Sequence, residues 1–587
     1  MPRVSIADRG KLIWLMLRRG FAYAVGRIAA FRLLQFIRWP GSPDRLVIAP
    51  QNLRTTDPTR ASEIYAGRFA LAGKVVICDG RSPFEMDPPS PEWAEALLSF
   101  NWLRHLRAAE TAIARANARA LVDEWMVLQG TWNSFSWRPE IVSRRIIAWL
   151  TQATLILHDA DVRFYRRFLR SLTRQVRYLR ATAAVAPDGV PRLQADIALT
   201  YAALCMTGQI RHLRRAVARL VAELERQVLP DGGHVSRNPG ALIDLLADLL
   251  PLSQAFSARN VPPPAPLLHA IDRMMPMLRF FRHGDSTFAL FNGMGPTPPD
   301  LLATILAYDD ARGAPVANAV HSGYQRIEAG QSIVLMDTGC PPALTLTAEA
   351  HAGCLSFELS MRGQRIVVNC GLPATGRGNW RHLARATAAH STVTLNETSS
   401  CNFLDTSLFR RLFGTLISGG PRRVSVARDH DGEAIQVRAE HDGYSKRFGI
   451  IHQRTIALAS DGERIEGEDA FLPAHGETLP ADGADAFAVR FHLHPSVRAN
   501  RLSDGHGVLL TLPNKDVWTF YAPVDRVDIE ESVYLAGRDG PRRTSQIVIH
   551  GRAHKAPRLE WSFAHTPQST AGVRRGREEE PELPLGG

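Results

Sequence analysis

The sequence predicts an α+β protein of several domains, in which a helical domain is followed by an antiparallel β-sandwich. Residues from about 100 to 310 carry apolar side chains at helical spacing and are joined by short connections. After about residue 320, short β-branched runs are separated by turn residues. Helices and strands therefore occupy separate parts of the chain, which is typical of two segregated folding units. A chain of 587 residues is long enough for both.

In the helical part, Pro139 suits the first turn of a helix. Val142, Ile146 and Trp149 follow it at spacings of four and three residues, which places them on one buried stripe. Similar runs predict further helices over residues 101–129, 162–184, 193–208, 210–228, 241–256 and 267–282. Short connections between such helices favour antiparallel neighbours.

In the second part, strand-like runs cover residues 332–336, 355–361, 365–368, 392–395, 434–439, 449–459, 487–494, 507–512, 517–522 and 547–550. Arg362-Gly363 separates two of them at hairpin spacing. Many short strands with regular turns and no intervening helices indicate a β-sandwich. We divide the chain into a basic, partly helical N-terminal segment (1–95), a helical domain (96–315), a sandwich domain (316–560) and a disordered tail (561–587).

The N-terminal segment contains the apolar run Leu12–Leu17, which Arg18 and Arg19 follow at once. This run is shorter than the ~18 apolar residues of a membrane span, and no small-residue cleavage site follows it. Two interpretations stay open. The segment is either a basic amphipathic helix on a membrane surface or an ordinary packed helix.

The chain carries 70 basic and 58 acidic residues, a formal net charge of +12, and only five of the basic residues are lysines. Such an excess favours anionic partners such as acidic polysaccharide, lipid headgroups or nucleic acid. Phosphate-binding glycine loops, G-x-S-x-G and H-E-x-x-H are absent, and no aromatic residues interleave with a basic patch. These absences disfavour kinases, dehydrogenases, serine hydrolases and nucleic-acid binders. The six cysteines form no C-x-x-C and do not fix the redox compartment.

A polar loop between two predicted helices is the first candidate site. It reads LPDGGHVSRNP and contains His234, Arg237 and Asn238 within five residues. These side chains can bind and neutralise a carboxylate. The alternative is a helix cap and turn that satisfies its own backbone.

Strand ends supply the second candidate site. His351 precedes one strand, Asn369 follows the next, and His390 precedes a third. Three such ligands can hold a metal, although isolated histidines are more often simply hydrogen-bonded. His492 and His494 share a strand face by alternation, which a partly exposed sheet explains without function.

The stretches HAGCLSFELSMRGQRIVVNCGLPA and RATAAHSTVTL resemble the central segment of the heparinase II/III-like family of polysaccharide lyases. The resemblance implies an incomplete α/α-toroid followed by an antiparallel β-sandwich, and β-elimination of uronic-acid-containing polysaccharides. It also implies that His234, Arg237 and Asn238 face the cleft from the toroid and that His351 faces it from the sandwich. His351, Asn369 and His390 fall where some members hold a structural metal.

The chain departs from the family pattern at two functional positions. The metal-site acid is replaced by Asn369, so we expect at most a weak structural zinc site and no other cofactor. No tyrosine lies between Tyr201 and Tyr308, where the family places its acid and base, and Phe288 and Phe291 stand there instead.

The sequence leaves two main functional hypotheses. The first is a lyase in which His234 or His351 replaces the missing tyrosine, or in which Tyr308 or Tyr324 reaches the cleft. The second is a non-catalytic polysaccharide-binding or assembly protein, and a membrane-surface scaffold is a less favoured third. Both main hypotheses imply an anionic polysaccharide partner and no nucleic acid, with peripheral membrane contact through the basic helix left open. The resemblance implies the cell envelope or periplasm, and the lack of a clear signal peptide keeps the cytoplasm open.

Overall fold

The computed structural model describes residues 6–35, 45–130, 135–309, 313–374, 378–404, 414–476, 478–480, 484–524 and 526–566. The helices are α1 (Ile6–Gln35), α2 (Pro58–Tyr65), α3 (Pro91–Leu98), α4 (Leu103–Ala108), α5 (Ala112–Leu128), α6 (Pro139–Thr151), α7 (Ala153–Leu157), α8 (Val162–Thr182), α9 (Val190–Cys205), α10 (Leu213–Gln227), α11 (Gly240–Ala258), α12 (Ala265–Phe280), α13 (Pro299–Leu306), α14 (Gly378–Leu383) and α15 (Ser445–Phe448).

Helices α3 to α13 form the toroid, in which α9 packs against α6, α10 and α11. Aromatic rings fill its core: Trp125 and Trp149 meet edge to face at 5.4 Å, and Trp149 stacks on Phe168 at 5.0 Å. Helix α11 is apolar and long enough to cross a membrane, but 72% of its most apolar stretch is buried inside the protein. It therefore serves here as a core helix.

The strands are β1 (Arg68–Leu71), β2 (Lys74–Ile77), β3 (Asn318–Ala319), β4 (Tyr324–Ala329), β5 (Ser332–Asp337), β6 (Phe357–Met361), β7 (Gln364–Val368), β8 (Val393–Leu395), β9 (Asn402–Leu404), β10 (Leu416–Gly419), β11 (Val424–His430), β12 (Ala434–His441), β13 (Ile450–Ala459), β14 (Arg464–Pro473), β15 (Ala486–Leu493), β16 (Arg498–Arg501), β17 (Gly507–Thr511), β18 (Val517–Tyr521), β19 (Asp528–Tyr534), β20 (Arg542–Arg552) and β21 (Arg558–Thr566).

Two large antiparallel sheets make the sandwich. One has the order β11-β12-β13-β14-β21-β18-β17-β16, and the other β19-β20-β15-β7-β6-β5-β4-β3, with β8 pairing β15. The hairpin between β6 and β7 turns at Arg362-Gly363, where both residues have positive φ. Inside the sandwich, Phe357 stacks on Trp561 at 5.5 Å. The toroid and the sandwich predicted from the sequence are thus confirmed.

Three local features differ from the sequence prediction. The chain turns between α4 and α5, where Thr111 caps α5 by accepting a 3.1 Å hydrogen bond from the Ala114 N–H. Strand β21 continues to Thr566, so the tail does not begin at residue 561, and residues 567–587 lie outside the described part. The N-terminal segment also contains the hairpin β1–β2, which apolar periodicity did not indicate.

Helix α1 is a packed helix, which agrees with one of the two interpretations that the sequence left open, and its contact with a membrane stays a prediction. One side packs on α8, and Lys11 Nζ donates to the Ser418 carbonyl at 2.7 Å. The opposite side carries large apolar residues that are exposed. We call this surface the exposed face of α1, and it consists of Ile13, Trp14, Leu17, Phe21, Ile28 and Phe31.

Candidate functional site

A cavity of about 580 Å³ separates the toroid from the sandwich, and we call it the interdomain cleft. Most residues within 187–191 and 236–244 line it from the toroid, and the buried Arg237 is not one of them. Most residues within 292–298 line it from the segment that leads to the sandwich, and most within 345–350 line it from the sandwich. Arg385 holds the last of these walls in place, because it donates to the carbonyls of Thr347 and Ala350 at 2.7 Å each.

His234 is enclosed in the toroid loop. Its Nε2 lies 3.0 Å from Gln227 Oε1 and its Nδ1 lies 2.7 Å from Ser236 Oγ. Burial, with a smaller contribution from Arg226, lowers the pKa of His234 to about 4. The ring is therefore neutral at pH 7, and it is Ser236 that lines the cleft in its place.

Arg237 is buried and fully engaged within the protein. Its guanidinium donates to the carbonyls of Ser322, Gly323, Gly339 and Cys340 and forms an ion pair with Asp337. It also lies over the Tyr324 ring, 4.7 Å from the centroid. The carboxylate that Arg237 neutralises therefore belongs to this chain, and the predicted role of neutralising a substrate carboxylate does not fit this geometry.

Asn238 is the residue of the predicted loop trio that lines the cleft. Its Oδ1 accepts a 2.9 Å hydrogen bond from the Gly240 N–H at the start of α11. The loop thus acts partly as a helix cap, as one interpretation of the sequence held, and it leaves the Asn238 Nδ2 group facing Gly293.

His351 lies behind the cleft wall. Its Nδ1 is 3.0 Å from His390 Nε2, and its buried Nε2 has no hydrogen-bond partner in the described part of the chain. Burial and the neighbouring His390 hold the pKa of His351 well below its usual value. The acid–base role predicted for His351 stays a prediction.

Asn292, which sequence reasoning missed, connects these groups to the cleft. It lines the cleft floor, accepts from the His351 backbone N–H at 3.2 Å and donates to Tyr324 Oη at 2.7 Å. Burial raises the pKa of Tyr324, whose hydroxyl donates to the Arg237 carbonyl at 2.6 Å. The Asn292-Gly293 dipeptide, a common turn signal, was the available clue in the sequence.

The predicted metal site has two imidazoles and one amide. Asn369 accepts from the Ser391 N–H at 3.0 Å and donates from Nδ2 to Glu358 Oε1 at 3.2 Å, so its amide is already used. Within the described residues, no group of three or more His, Cys, Asp or Glu side chains is placed to hold a metal. This donor set does not fit a structural zinc, which needs four ligands and usually an anionic one.

Most charges in the cleft are paired. The charged lining residues are Arg144, Asp188, Asp244, Glu349 and Arg381. Arg144 pairs with Glu95 at 2.8 Å, Asp188 with Arg18 at 3.0 Å, and Arg381 with Glu349 at 3.6 Å. Asp244 lines the cleft, and desolvation by the surrounding protein raises its pKa. The described lining of the cleft therefore presents hydrogen-bonding groups and no net positive charge.

Comparisons with known proteins agree with this architecture. Residues 311–562 match the family model "Heparinase II/III-like, C-terminal". FtsZ-localized protein C of Caulobacter vibrioides (strain NA1000 / CB15N) is 32% identical over 577 residues, which cover 94% of this chain and 96% of the relative. A crystal structure of heparinase III matches with a TM-score of 0.70, 14% identity and coverage of 91% of this chain and 89% of that one. Heparan sulfate lyase HepC from Pedobacter heparinus matches with a TM-score of 0.58, 15% identity and coverage of 93% and 88%.

Proposed function

The chain belongs to the heparinase II/III-like family, and we propose that it binds a polysaccharide in the interdomain cleft without cleaving it. One observation supports the non-catalytic assignment above the others. Of the four proton-transfer candidates of the sequence, His234, His351 and Tyr324 are buried behind the cleft wall. The fourth, Tyr308, is half-buried, packs on the toroid core and does not line the cleft. A general base must come within about 3 Å of the proton that it removes, and in this structure none of these side chains lines the cleft.

The cleft offers the chemistry of sugar binding. Ser236, Asn238 and Asp244 are polar residues on its toroid side, and their side chains suit the hydroxyls of a sugar chain. Among the described residues, three carboxylates and two guanidiniums line it, so it does not concentrate positive charge on one uronate. β-Elimination requires such neutralisation before the C5 proton can be removed.

Filling the cleft tests this proposal. Ala348 is exposed on the cleft wall, so Ala348→Trp inserts a large ring into the binding space. Ala343 is exposed on the same loop outside the cleft, and Ala343→Trp is the matched control. In affinity electrophoresis through gels that contain a panel of polysaccharides, we expect Ala348→Trp to weaken retention at least about tenfold relative to Ala343→Trp. Equal retention of both variants would contradict cleft binding.

Lyase activity by β-elimination on a uronic-acid polymer is the second candidate, and the position of Asn292 favours it. Asn292 lines the cleft and is hydrogen-bonded on its other side to the Tyr324 hydroxyl and to the His351 backbone N–H. One residue therefore separates these two groups from the cleft. A shift of this wall would bring a tyrosine and a histidine to a substrate. Unsaturated products absorb in the ultraviolet, so turnover by the wild-type protein that Tyr324→Phe abolishes would establish the lyase.

We also propose that the protein works at the cell periphery and that α1 contacts a membrane. Leu17, Phe21 and Phe31 on the exposed face of α1 are 68%, 64% and 60% exposed. Arg27 is exposed on the same helix and suits anionic lipid headgroups. The name of the Caulobacter relative records localisation to FtsZ, and we propose the same localisation for this chain, which a fluorescent fusion imaged with labelled FtsZ tests.

Vesicle flotation tests the membrane contact. We expect the wild-type protein to float with vesicles rich in anionic lipid and the double variant Leu17→Ser/Phe21→Ser to stay in solution. The control is Ile113→Ser/Val127→Ser on α5, which removes two apolar residues that are 70% and 69% exposed. Flotation of the α1 variant to the same extent as the control contradicts the proposal.

A further inference from the structure

A second cavity, of about 250 Å³, adjoins the cleft, because Gly295 and Pro296 line both. Three of its lining residues are arginines, and we call it the arginine pocket; those residues are Arg365, Arg538 and Arg542. We propose that the arginine pocket binds an anionic substituent, a carboxylate or a sulfate, of the sugar chain that the cleft holds. This inference rests on the proposed function, since it adds a second binding site, outside the cleft, for the same sugar chain.

The pocket lies at one end of the larger sheet. β19, β20, β15 and β7 are neighbours there, and Tyr534, Arg542, His494 and Arg365 lie at or beside the ends of these strands. Tyr534 pairs with Arg542 in the strand register, and the His494 N–H donates to the Ile366 carbonyl at 3.0 Å. Neighbouring strands are antiparallel, so the end of one strand lies beside the start of the next. Residues that are distant in sequence therefore meet at this end of the sheet.

Arg365 is the fixed cation of the pocket. It is buried, its Nη2 pairs with Glu358, and its Nη1 donates to Thr287 Oγ1 at 3.1 Å. Its Nε has no hydrogen-bond partner in the described part of the chain. A buried donor without a partner is costly in a folded protein, and an oxyanion in the pocket would supply a partner for it.

Arg538 and Arg542 supply charge that is not consumed within the protein. Both are exposed, and neither lies within 4.0 Å of a carboxylate oxygen among the residues that the structure describes. Among the described residues, Asp539 is the single acidic residue of the lining. Because Glu358 already pairs with Arg365, two guanidiniums, those of Arg538 and Arg542, face this one carboxylate. Guanidinium forks bind carboxylate and sulfate oxygens through paired hydrogen bonds.

His494 and Tyr534 complete the lining with uncharged groups. Their rings meet edge to face with centroids 5.2 Å apart. Burial, followed by the charge of Arg365, lowers the pKa of His494 to about 4, and burial raises the pKa of Tyr534. Both are neutral at pH 7, so the Tyr534 ring can pack against a sugar while its hydroxyl donates a hydrogen bond.

The experiment compares a glucuronate-containing polymer with the same polymer after reduction of its carboxyl groups. Both are titrated by calorimetry into the wild-type protein and into Arg538→Ala/Arg542→Ala. The control is Arg543→Ala, which removes an exposed arginine on the opposite face of β20. We expect the double variant to weaken binding of the acidic polymer at least about tenfold, and the control to change it less than about twofold.

Titrations with small ligands show whether the pocket prefers a sugar anion or free phosphate. They also test the arginine pocket separately from the cleft. Glucuronate, a sulfated glucosamine and inorganic phosphate are titrated separately, and we expect the wild-type protein to bind a sugar anion more tightly than phosphate. If neither polymer binds but the sugar anion does, the proposed function fails and the pocket stands. If both polymers bind equally to every variant, or if phosphate binds as tightly as the sugar anion, the inference is overturned and cleft binding stands.

Discussion

Arg237 and Arg542 show two uses of arginine on neighbouring sides of the same interdomain region. Arg237 is buried, with its donors satisfied by four carbonyls and by Asp337. Arg542 is exposed at the start of β20, with no carboxylate partner in the described structure. The first arginine joins the toroid to the sandwich, and the second is free to meet a ligand. The role of a basic residue near a cleft therefore follows from the groups that it contacts and not from its position alone.

Removing the first arginine should have the largest effect on stability. Arg237→Ala leaves Asp337 buried without its cation, and such losses cost about 3–5 kcal/mol. We expect a large fall in the thermal midpoint of this variant, measured by differential scanning calorimetry. Arg542→Ala should change the free energy of unfolding by less than about 0.5 kcal/mol. Similar midpoints for the two variants would remove the distinction between the two arginines.

Acid should destabilise the toroid loop through His234. The folded pKa of about 4 lies below the ~6.5 of an unfolded chain, so the unfolded state takes up the proton first as the pH falls. Stability therefore declines from about pH 6.5 toward pH 4, by about 1.4 kcal/mol for each unit between the two pKa values. Urea denaturation at a series of pH values measures this slope.

The variant His234→Gln should flatten part of that slope, since glutamine does not titrate. His430 is exposed, and His430→Gln is the control. An unchanged slope in His234→Gln would mean that the loop histidine titrates alike in both states.

The fold was predictable because its signals are local. Helical spacing such as Val142, Ile146 and Trp149, and turns such as Arg362-Gly363, depend on neighbouring residues and survive into the structure. The extent of β21 was not predictable in this way. Trp561 stacks on Phe357 across the sandwich, and this contact joins residues that are too far apart in sequence for a local pattern to indicate it.

The site was less predictable because its partners are remote in sequence. The partner of Arg237 lies 100 residues away at Asp337, so the polar loop alone could not separate ligand binding from structure. The arginine pocket gathers Arg365, His494 and Arg542 from three strands that adjoin only in the folded sheet. Of the predicted loop residues, Asn238 lines the cleft. Asn292 lines it as well, and in the sequence this segment was noted only for Phe288 and Phe291, which stand where the family places a tyrosine.

A smaller effect should sharpen the account of the arginine pocket. Asp539 is an acidic residue of its lining, so Asp539→Asn removes a repulsive charge without enlarging the side chain. We expect binding of the acidic polymer to strengthen about two- to fivefold, with a steeper dependence on salt. Weaker binding in this variant would show that Asp539 contacts the ligand instead of opposing it.

The most direct test of the central claim follows binding and cleavage in one sample. The wild-type protein is incubated with each uronic-acid polymer of a panel while ultraviolet absorbance is recorded, and its retention on the same polymer is measured by affinity electrophoresis. The account predicts retention on at least one polymer with no rise in absorbance above that of Ala348→Trp. A steady rise with the wild-type protein, lost in Tyr324→Phe, would contradict it and establish a lyase.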